Sequence, residues 1–259
     1  MSHRFRFVGA KQNNSTWLIT GEEHTHLAKV LRLNVGTEVE VMAGLESGEN
    51  SGSWCIGVLT DIKSGSAVVS VTESMKDLPG LLRMVIAVGA LGHGELDEVI
   101  PPLVELGVDE IVVFGQVDQS KSRINEKSVD RWQRMILNAC KQCKRALFPK
   151  LTVLKNCEEL VALSASWGVK LVGAAEAGPD LGAAANGVNQ DSPEFLAKPV
   201  VAAVIGSEKG LSDRETILLT SAGFTPVRLG NHVLRAKTAA IAVAAVLADR
   251  LARPPSLMI

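Results

Sequence analysis

Apolar positions along the chain follow two rhythms, and the change falls near residue 80. Before it, residues 4–8, 16–20, 37–42, 54–62 and 67–72 are short β-prone stretches, separated by Gly/Ser/Asn-rich turns such as Gly48-Glu49-Asn50-Ser51-Gly52. Gly21-Glu22-Glu23 turns into a helical stretch at 24–33. Several short strands punctuated in this way predict a small β-barrel. The stretch 76–81, containing Pro79-Gly80, is the expected linker.

After it, apolar strands alternate with longer helices. Strands are expected at 84–88, 110–114, 169–174, 200–205 and 225–229, and helices at 130–147, 212–222 and 234–251. That alternation predicts an α/β fold with a mostly parallel sheet. Ser212 and Glu215 have the spacing of a capping box, which marks a helix start. Pro101-Pro102 interrupts the helical pattern 95–106 and predicts a kink or restart, because an interior proline removes a hydrogen bond and crowds the preceding turn. Residues 186–197 read as a surface loop. The chain is expected to divide into a barrel at 1–75, a linker at 76–81 and an α/β domain at 82–259.

Composition sharpens this picture in two places. Aromatic residues are 4% of the chain and tyrosine is absent, so the core has to be built from Val, Leu, Ile and Ala, as in sheets buried on both faces. Four cysteines in 259 residues do not make a disulfide framework and suggest reduced thiols in a cytoplasmic protein. No apolar run is long enough for a membrane span, and the N-terminus has no secretory pattern.

The net charge of −1 is not evenly spread. Lys121 to Lys150 carries nine basic residues against two acids, a local excess of +7, whereas Glu95 to Asp118 has seven acids and no Lys or Arg. Segregation of this kind suits a phosphate-binding face, although a charge run is also the ordinary look of a solvated helix. Cys140-Lys141-Gln142-Cys143 lacks the second pair a structural zinc needs, and its cysteines share a helix face suited to the core. His24-Thr25-His26 lacks a companion cluster. No metal is expected.

Two glycine-bearing loops carry the candidate chemistry. Ile205-Gly206-Ser207-Glu208-Lys209-Gly210 closes one expected strand, and Leu229-Gly230-Asn231-His232-Val233-Leu234-Arg235 follows the last. Ligands in open α/β sheets sit beyond the carboxyl ends of the strands, where glycine lets the backbone come close. Neither loop is a dinucleotide fingerprint or a P-loop, and glycines alone fit ordinary tight turns equally well.

Taken together, IGSEKGLSDRE and LGNHVLRAKTAA resemble the C-terminal signature of the SPOUT methyltransferases. The closest likeness is to the RsmE-type family that forms N3-methyluridine in small-subunit (16S) ribosomal RNA. His3-Arg4-Phe5, Ile19-Thr20-Gly21-Glu22-Glu23, His26 and Val30-Leu31-Arg32 resemble that family's N-terminal PUA-like barrel. Glu105-Leu106-Gly107-Val108, Arg131-Trp132, Gln142, Arg145, Pro149 and Ala175-Glu176 match in order along the rest.

The resemblance implies a trefoil-knotted α/β domain, a homodimer, S-adenosylmethionine as cofactor and ribosomal RNA of the small subunit as partner. It places cofactor contacts on Ala175, Gly206, Glu208, Gly210, Leu229, Gly230, Leu234 and Ala239. It leaves Arg235 as the candidate to stabilise an anionic base, or else a phosphate anchor or packing arginine. Arg4, Arg6, Arg32, Arg131, Lys141 and Arg145 are the candidates for RNA phosphates.

The chain also departs from the family. Gly206-Ser207-Glu208-Lys209-Gly210 stands where Gly-Pro-Glu-Gly-Gly is usual. His232 and Lys237 replace Arg and Glu, Glu95 and Pro102 stand where lysines are usual, and Lys141 replaces a Glu. Methylation elsewhere, such as a ribose 2′-hydroxyl, and a non-catalytic role in ribosome assembly therefore remain alternative readings.

Overall fold

The structure is a computed structural model that describes residues 4–44, 52–80, 82–92, 94–115, 124–174 and 178–251. It divides into two compact units: Met1–Pro79 with Leu137–Phe148, and Gly80–Ile136 with Pro149–Ile259.

The first unit is a closed five-stranded barrel. β1 (Arg6–Lys11), β2 (Thr16–Thr20), β3 (Glu38–Ala43), β4 (Ser53–Lys63) and β5 (Ser66–Lys76) pair in the order β1-β2-β5-β4-β3. The β1–β3 pair is parallel and closes the barrel; the other pairs are antiparallel. Alternation along the strands sends Phe7, Trp17, Ile19, Val39, Val41, Leu59 and Val69 inward to one core. Closure leaves no unpaired sheet edge.

Two expectations need correction here. The helical stretch at 24–33 is a short α1 (Gly21–Thr25) continued by a single π-helical turn, His26–Val30. β5 runs through Lys76, and Asp77 accepts hydrogen bonds from Trp54 Nε1 at 2.9 Å and from the Ala146 amide at 2.8 Å. Residues 76 and 77 are thus tied into the barrel unit.

The second unit is a six-stranded sheet of β6 (Arg83–Gly89), β7 (Glu110–Phe114), β8 (Lys150–Leu154), β9 (Val169–Gly173), β10 (Val200–Ile205) and β11 (Thr225–Val227). The order is β11-β9-β10-β6-β7-β8, and every pair is parallel. β10 and β7 are buried along their whole length, as expected for strands covered on both faces. Its helices are α2 (Glu95–Glu105), the part of α3 (Glu126–Cys143) up to Ile136, α4 (Cys157–Leu163), α5 (Leu181–Asn186), α6 (Pro193–Ala197), α7 (Asp213–Ser221) and α8 (Ala236–Leu251); α3 from Leu137 on belongs to the first unit.

The capping box at Ser212 and Glu215 is formed in both directions. α2 continues as one helix through Pro101 and Pro102, so the pattern does not restart there. Leu96, Val99, Ile100, Leu103 and Val104 are buried along it, and that burial holds the helix through the two missing amide donors. Sequence periodicity missed β8 and α4, and α6 lies inside the stretch 186–197 that reads as loop. These elements are five to seven residues long, too short for a helical or strand period to register.

The chain reverses its direction of growth across the sheet between β6 and β10. Strands β6, β7 and β8 step one way, while β9 and β11 lie on the other side of β10. Such a switch point is where open α/β sheets leave a crevice beyond their carboxyl ends.

Candidate active site

A cavity of about 860 Å³ opens beyond the carboxyl ends of β9, β10 and β11. Both glycine loops line it. Of the residues expected around the cofactor, Gly206, Glu208, Gly210, Leu229, Gly230, Leu234 and Ala239 all face this one space, and so does Arg235. Ala175 lies outside the described residues.

The first loop is shaped by a tight turn. The Gly210 amide donates to the Ser207 carbonyl at 2.8 Å, and Gly210 has φ +77°, a left-handed conformation that favours glycine. Gly206 is required for another reason: a Cβ there would stand 2.6 Å from the Gly210 carbonyl carbon and 2.8 Å from the Leu211 nitrogen. The loop closes on itself against a bare backbone. The Glu208 carboxylate accepts from the Gly92 amide just past β6, which ties this turn across the switch point.

The second loop leads into α8, whose inner face (Ala236, Ala239, Ala240, Val243, Ala244 and Leu247) is buried. Small residues let this helix pack close to α2, α5 and the sheet. Arg235 immediately precedes it and is exposed. Among the described residues no ion pair or hydrogen bond engages its guanidinium. Two residues on, Lys237 bonds Glu98 of α2 at 2.7 Å.

Sequence reasoning missed part of this lining. Glu95, Asp213, Thr216 and Gly173 also face the cavity, and His232 joins them from the second loop. Glu95 and His232 were visible only as departures from a pattern. Gly173 carried a signal at its strand end: a Cβ there would meet Ile205 Cδ1 at 2.9 Å and Leu229 Cδ1 at 3.3 Å.

The expected RNA-binding residues separate. In the barrel unit, Arg6 is not available to a phosphate. Its guanidinium is buried, donates to Glu40 at 2.9 Å, and lies 4.7 Å from the Trp54 ring centre. Lys144 reaches the same carboxylate at 3.0 Å. Desolvation pushes the Glu40 pKa up, but the bonds from Lys144 and Arg6 outweigh it and hold the value below the usual range. Lys141 is likewise turned inward, paired with Glu23 and mostly buried. Both are corrections to the expected RNA face: Arg6 is buried on the outer side of β1, beside Glu40, Trp54 and Lys144, and Lys141 is packed against the same unit, where each charge needs a carboxylate partner.

Arg4 pairs with Glu38 at the surface, and that hydrogen bond raises its pKa. Arg32 is exposed, with a left-handed backbone at φ +52°. Arg145 is half-buried, its amide bonded to the Cys140 carbonyl at 3.0 Å. In the sheet unit, Arg131 is half-exposed beside Asp97 at 3.0 Å, and Trp132 Nε1 donates to the same carboxylate at 3.1 Å.

Cys140 is buried, with its thiol pushed up to about 12 by desolvation, but Cys143 is exposed rather than part of a core face. His26 packs edge-on against Phe7 at 6.3 Å, and His24 is buried. Among the described residues, no three His, Cys, Asp or Glu side chains gather as a metal site, and no helix is long and apolar enough to cross a membrane.

A fully parallel sheet with a glycine-turned cavity at its switch point defines an α/β protein that holds a small ligand beyond its strand ends. The RNA methyltransferase domain matches residues 79–248, and the chain belongs to that family. Among curated relatives, ribosomal RNA small subunit methyltransferase E of Buchnera aphidicola (subsp. Acyrthosiphon pisum) is 24% identical over 88% of this chain and 85% of its own length. The protein of that name from Bacillus subtilis is 26% identical over 86% of each chain. Among solved structures, a Legionella pneumophila methyltransferase in complex with bound SAM superposes with TM-score 0.77 at 25% identity, covering 95% of this chain and 97% of that one. The Neisseria gonorrhoeae small subunit methyltransferase E, bound to S-adenosyl methionine, has the same fold with TM-score 0.77 at 22% identity, again over 95% and 97%.

Proposed function

We propose that this chain methylates N3 of a uridine in small-subunit (16S) ribosomal RNA, using S-adenosylmethionine held in the cavity between the two glycine loops. The observation that carries the reading is the convergence of both loops and Arg235 on one cavity. Family membership and the names of the relatives point the same way.

The residues fit such a cofactor. A volume of about 860 Å³ lies in the range of small-molecule sites. Gly210 and Gly230 leave open space where a side chain would project, so backbone amides and carbonyls are accessible to an adenine edge. When bound, the cofactor supplies an electrophilic methyl group on a sulfonium. What remains for the protein is alignment, exclusion of water and management of charge on the base.

Uridine N3 has to lose a proton before it attacks, which leaves negative charge on the base and its two carbonyls. Arg235, facing the cavity without a carboxylate partner among the described residues, is the cation placed to stabilise that charge. Arg4, Arg32, Arg131 and Arg145 are read as phosphate contacts, with an unstacked single-stranded uridine as the target, since paired A-form RNA hides its base edges. We also read the path from β11 back to α8 as knotted, the active form as a homodimer and the site of action as the cytoplasm. α8 packing against β6 and α2, on the far side of β10 from β11, supports the first of these.

The test is methyl transfer to small subunits from cells lacking the protein, followed by nucleoside mass spectrometry. One N3-methyluridine per subunit is expected. A ribose-methylated product would replace the N3 reading, and cofactor binding without any transfer to RNA would sink the enzymatic one.

A further inference from the structure

The cavity is more acidic than methyl transfer to an anionic base requires. Among the described residues, Glu95, Glu208 and Asp213 line it against one guanidinium, Arg235, with His232 also in the lining. Two of the carboxylates have structural work. Glu208 accepts from the Gly92 amide, and Asp213 sits in the first turn of the capped helix α7.

Glu95 is different. It opens α2, where an acid suits the positive end of the helix, but Asp97 and Glu98 already fill that first turn. Asp97 is neutralised by Arg131 and bonded by Trp132, and Glu98 is neutralised by Lys237. The half-buried Glu95 side chain has no hydrogen-bond or ion-pair partner among the described residues and faces the cavity.

We propose that Glu95 is a specificity residue that makes the cavity prefer the cationic methyl donor over its neutral demethylated product. This rests on the cofactor reading above. The donor carries a positive sulfonium. Methyl transfer moves the methyl carbon to the base nitrogen, and the bonding pair returns to sulfur, which becomes an uncharged thioether. A carboxylate in a partly water-excluded space attracts the first species and gains nothing from the second. Product is thereby expelled at the moment it forms, with no conformational step.

The experiment is calorimetric titration of the full chain with S-adenosylmethionine and with S-adenosylhomocysteine. The variants are Glu95→Gln, Glu95→Asp and, as a remote control, Glu158→Gln. The expected donor-to-product affinity ratio is roughly tenfold higher in the unaltered protein and the control than in Glu95→Gln. Glu95→Asp keeps most of the preference, and raising salt from about 0.05 M to about 1 M erodes it in the unaltered protein. A purely helix-capping Glu95 would lower the melting temperature of Glu95→Gln and leave the ratio where it was, and that result overturns the proposal. If Glu95→Gln does not fold, a ratio insensitive to salt in the unaltered protein overturns it equally. If neither ligand binds the unaltered protein, the cofactor reading itself falls and takes this one with it. Binding of both with an unmoved ratio removes Glu95 alone.

Discussion

Replacing Gly206 by alanine tests whether the first glycine loop is a cradle or an ordinary turn. The added Cβ would sit 2.6 Å from the Gly210 carbonyl carbon, 2.8 Å from the Leu211 nitrogen and 2.9 Å from the Gly210 oxygen. All three are backbone atoms, so no side-chain rotation relieves the overlap. The loop has to open by roughly an ångström, to ordinary van der Waals separation. Opening strains or breaks the 2.8 Å bond from the Gly210 amide to the Ser207 carbonyl. One lost hydrogen bond is worth about 0.5–1.5 kcal/mol, and overpacking adds about 1–3 kcal/mol.

In the free protein the loop relaxes and most of that cost disappears, so the melting temperature should fall by only a few degrees. In the complex the loop has to close again. The penalty of about 1.5–4.5 kcal/mol then falls on binding, weakening S-adenosylmethionine by roughly 10- to 2000-fold. Gly182→Ala is the matched control. It lies within α5 with nothing near its Cβ position, and should leave affinity unchanged while stability holds or rises slightly. Calorimetry and thermal melts on the two variants decide the matter. Affinity of Gly206→Ala within threefold of the unaltered protein would refute the cradle.

Arg235→Ala should cut kcat for RNA methylation by roughly 100-fold with cofactor affinity changed less than threefold, because its charge is matched to the base anion; equal losses in both would make it a packing residue. Glu40 is held below the usual carboxylate range, so its contribution to barrel stability is complete above about pH 5 and is lost as pH falls through the depressed value. Glu40→Gln should flatten that acid limb in melts taken from pH 7 down to pH 3, and should cost about 3–5 kcal/mol at neutral pH by stranding the buried Arg6. In native alkylation near pH 8, Cys143 should be the thiol that labels. Cys55, Cys140 and Cys157 are raised by burial to about 11, about 12 and about 12, and should label only in denaturant by peptide mass spectrometry. Arg32→Ala should weaken RNA and shallow the salt dependence of binding without moving the melting temperature, whereas Arg6→Ala should unfold the barrel before any RNA effect can be read.

What the sequence determined by itself is whatever depends on local periodicity and short-range spacing. The alternation in residues 16–20 and 67–72, the apolar run at 200–205 and the S-x-x-E box at 212–215 each encode their element within a few residues, so barrel, parallel sheet and capped helix were legible. So were the two glycine loops, because each glycine answers to its own backbone. Tertiary structure decided everything set by distant partners. Arg6 and Glu40 are 34 residues apart, so only barrel closure shows that a basic N-terminus contributes a buried ion pair in place of an RNA contact. Asp97 and Glu98 look the same as Glu95 in sequence; Arg131 and Lys237, brought in by packing, neutralise the first two, Trp132 adds a hydrogen bond to Asp97, and the third is left facing the cavity. A charge's role depends on what lies within a few ångströms of it, and only the folded chain sets those distances.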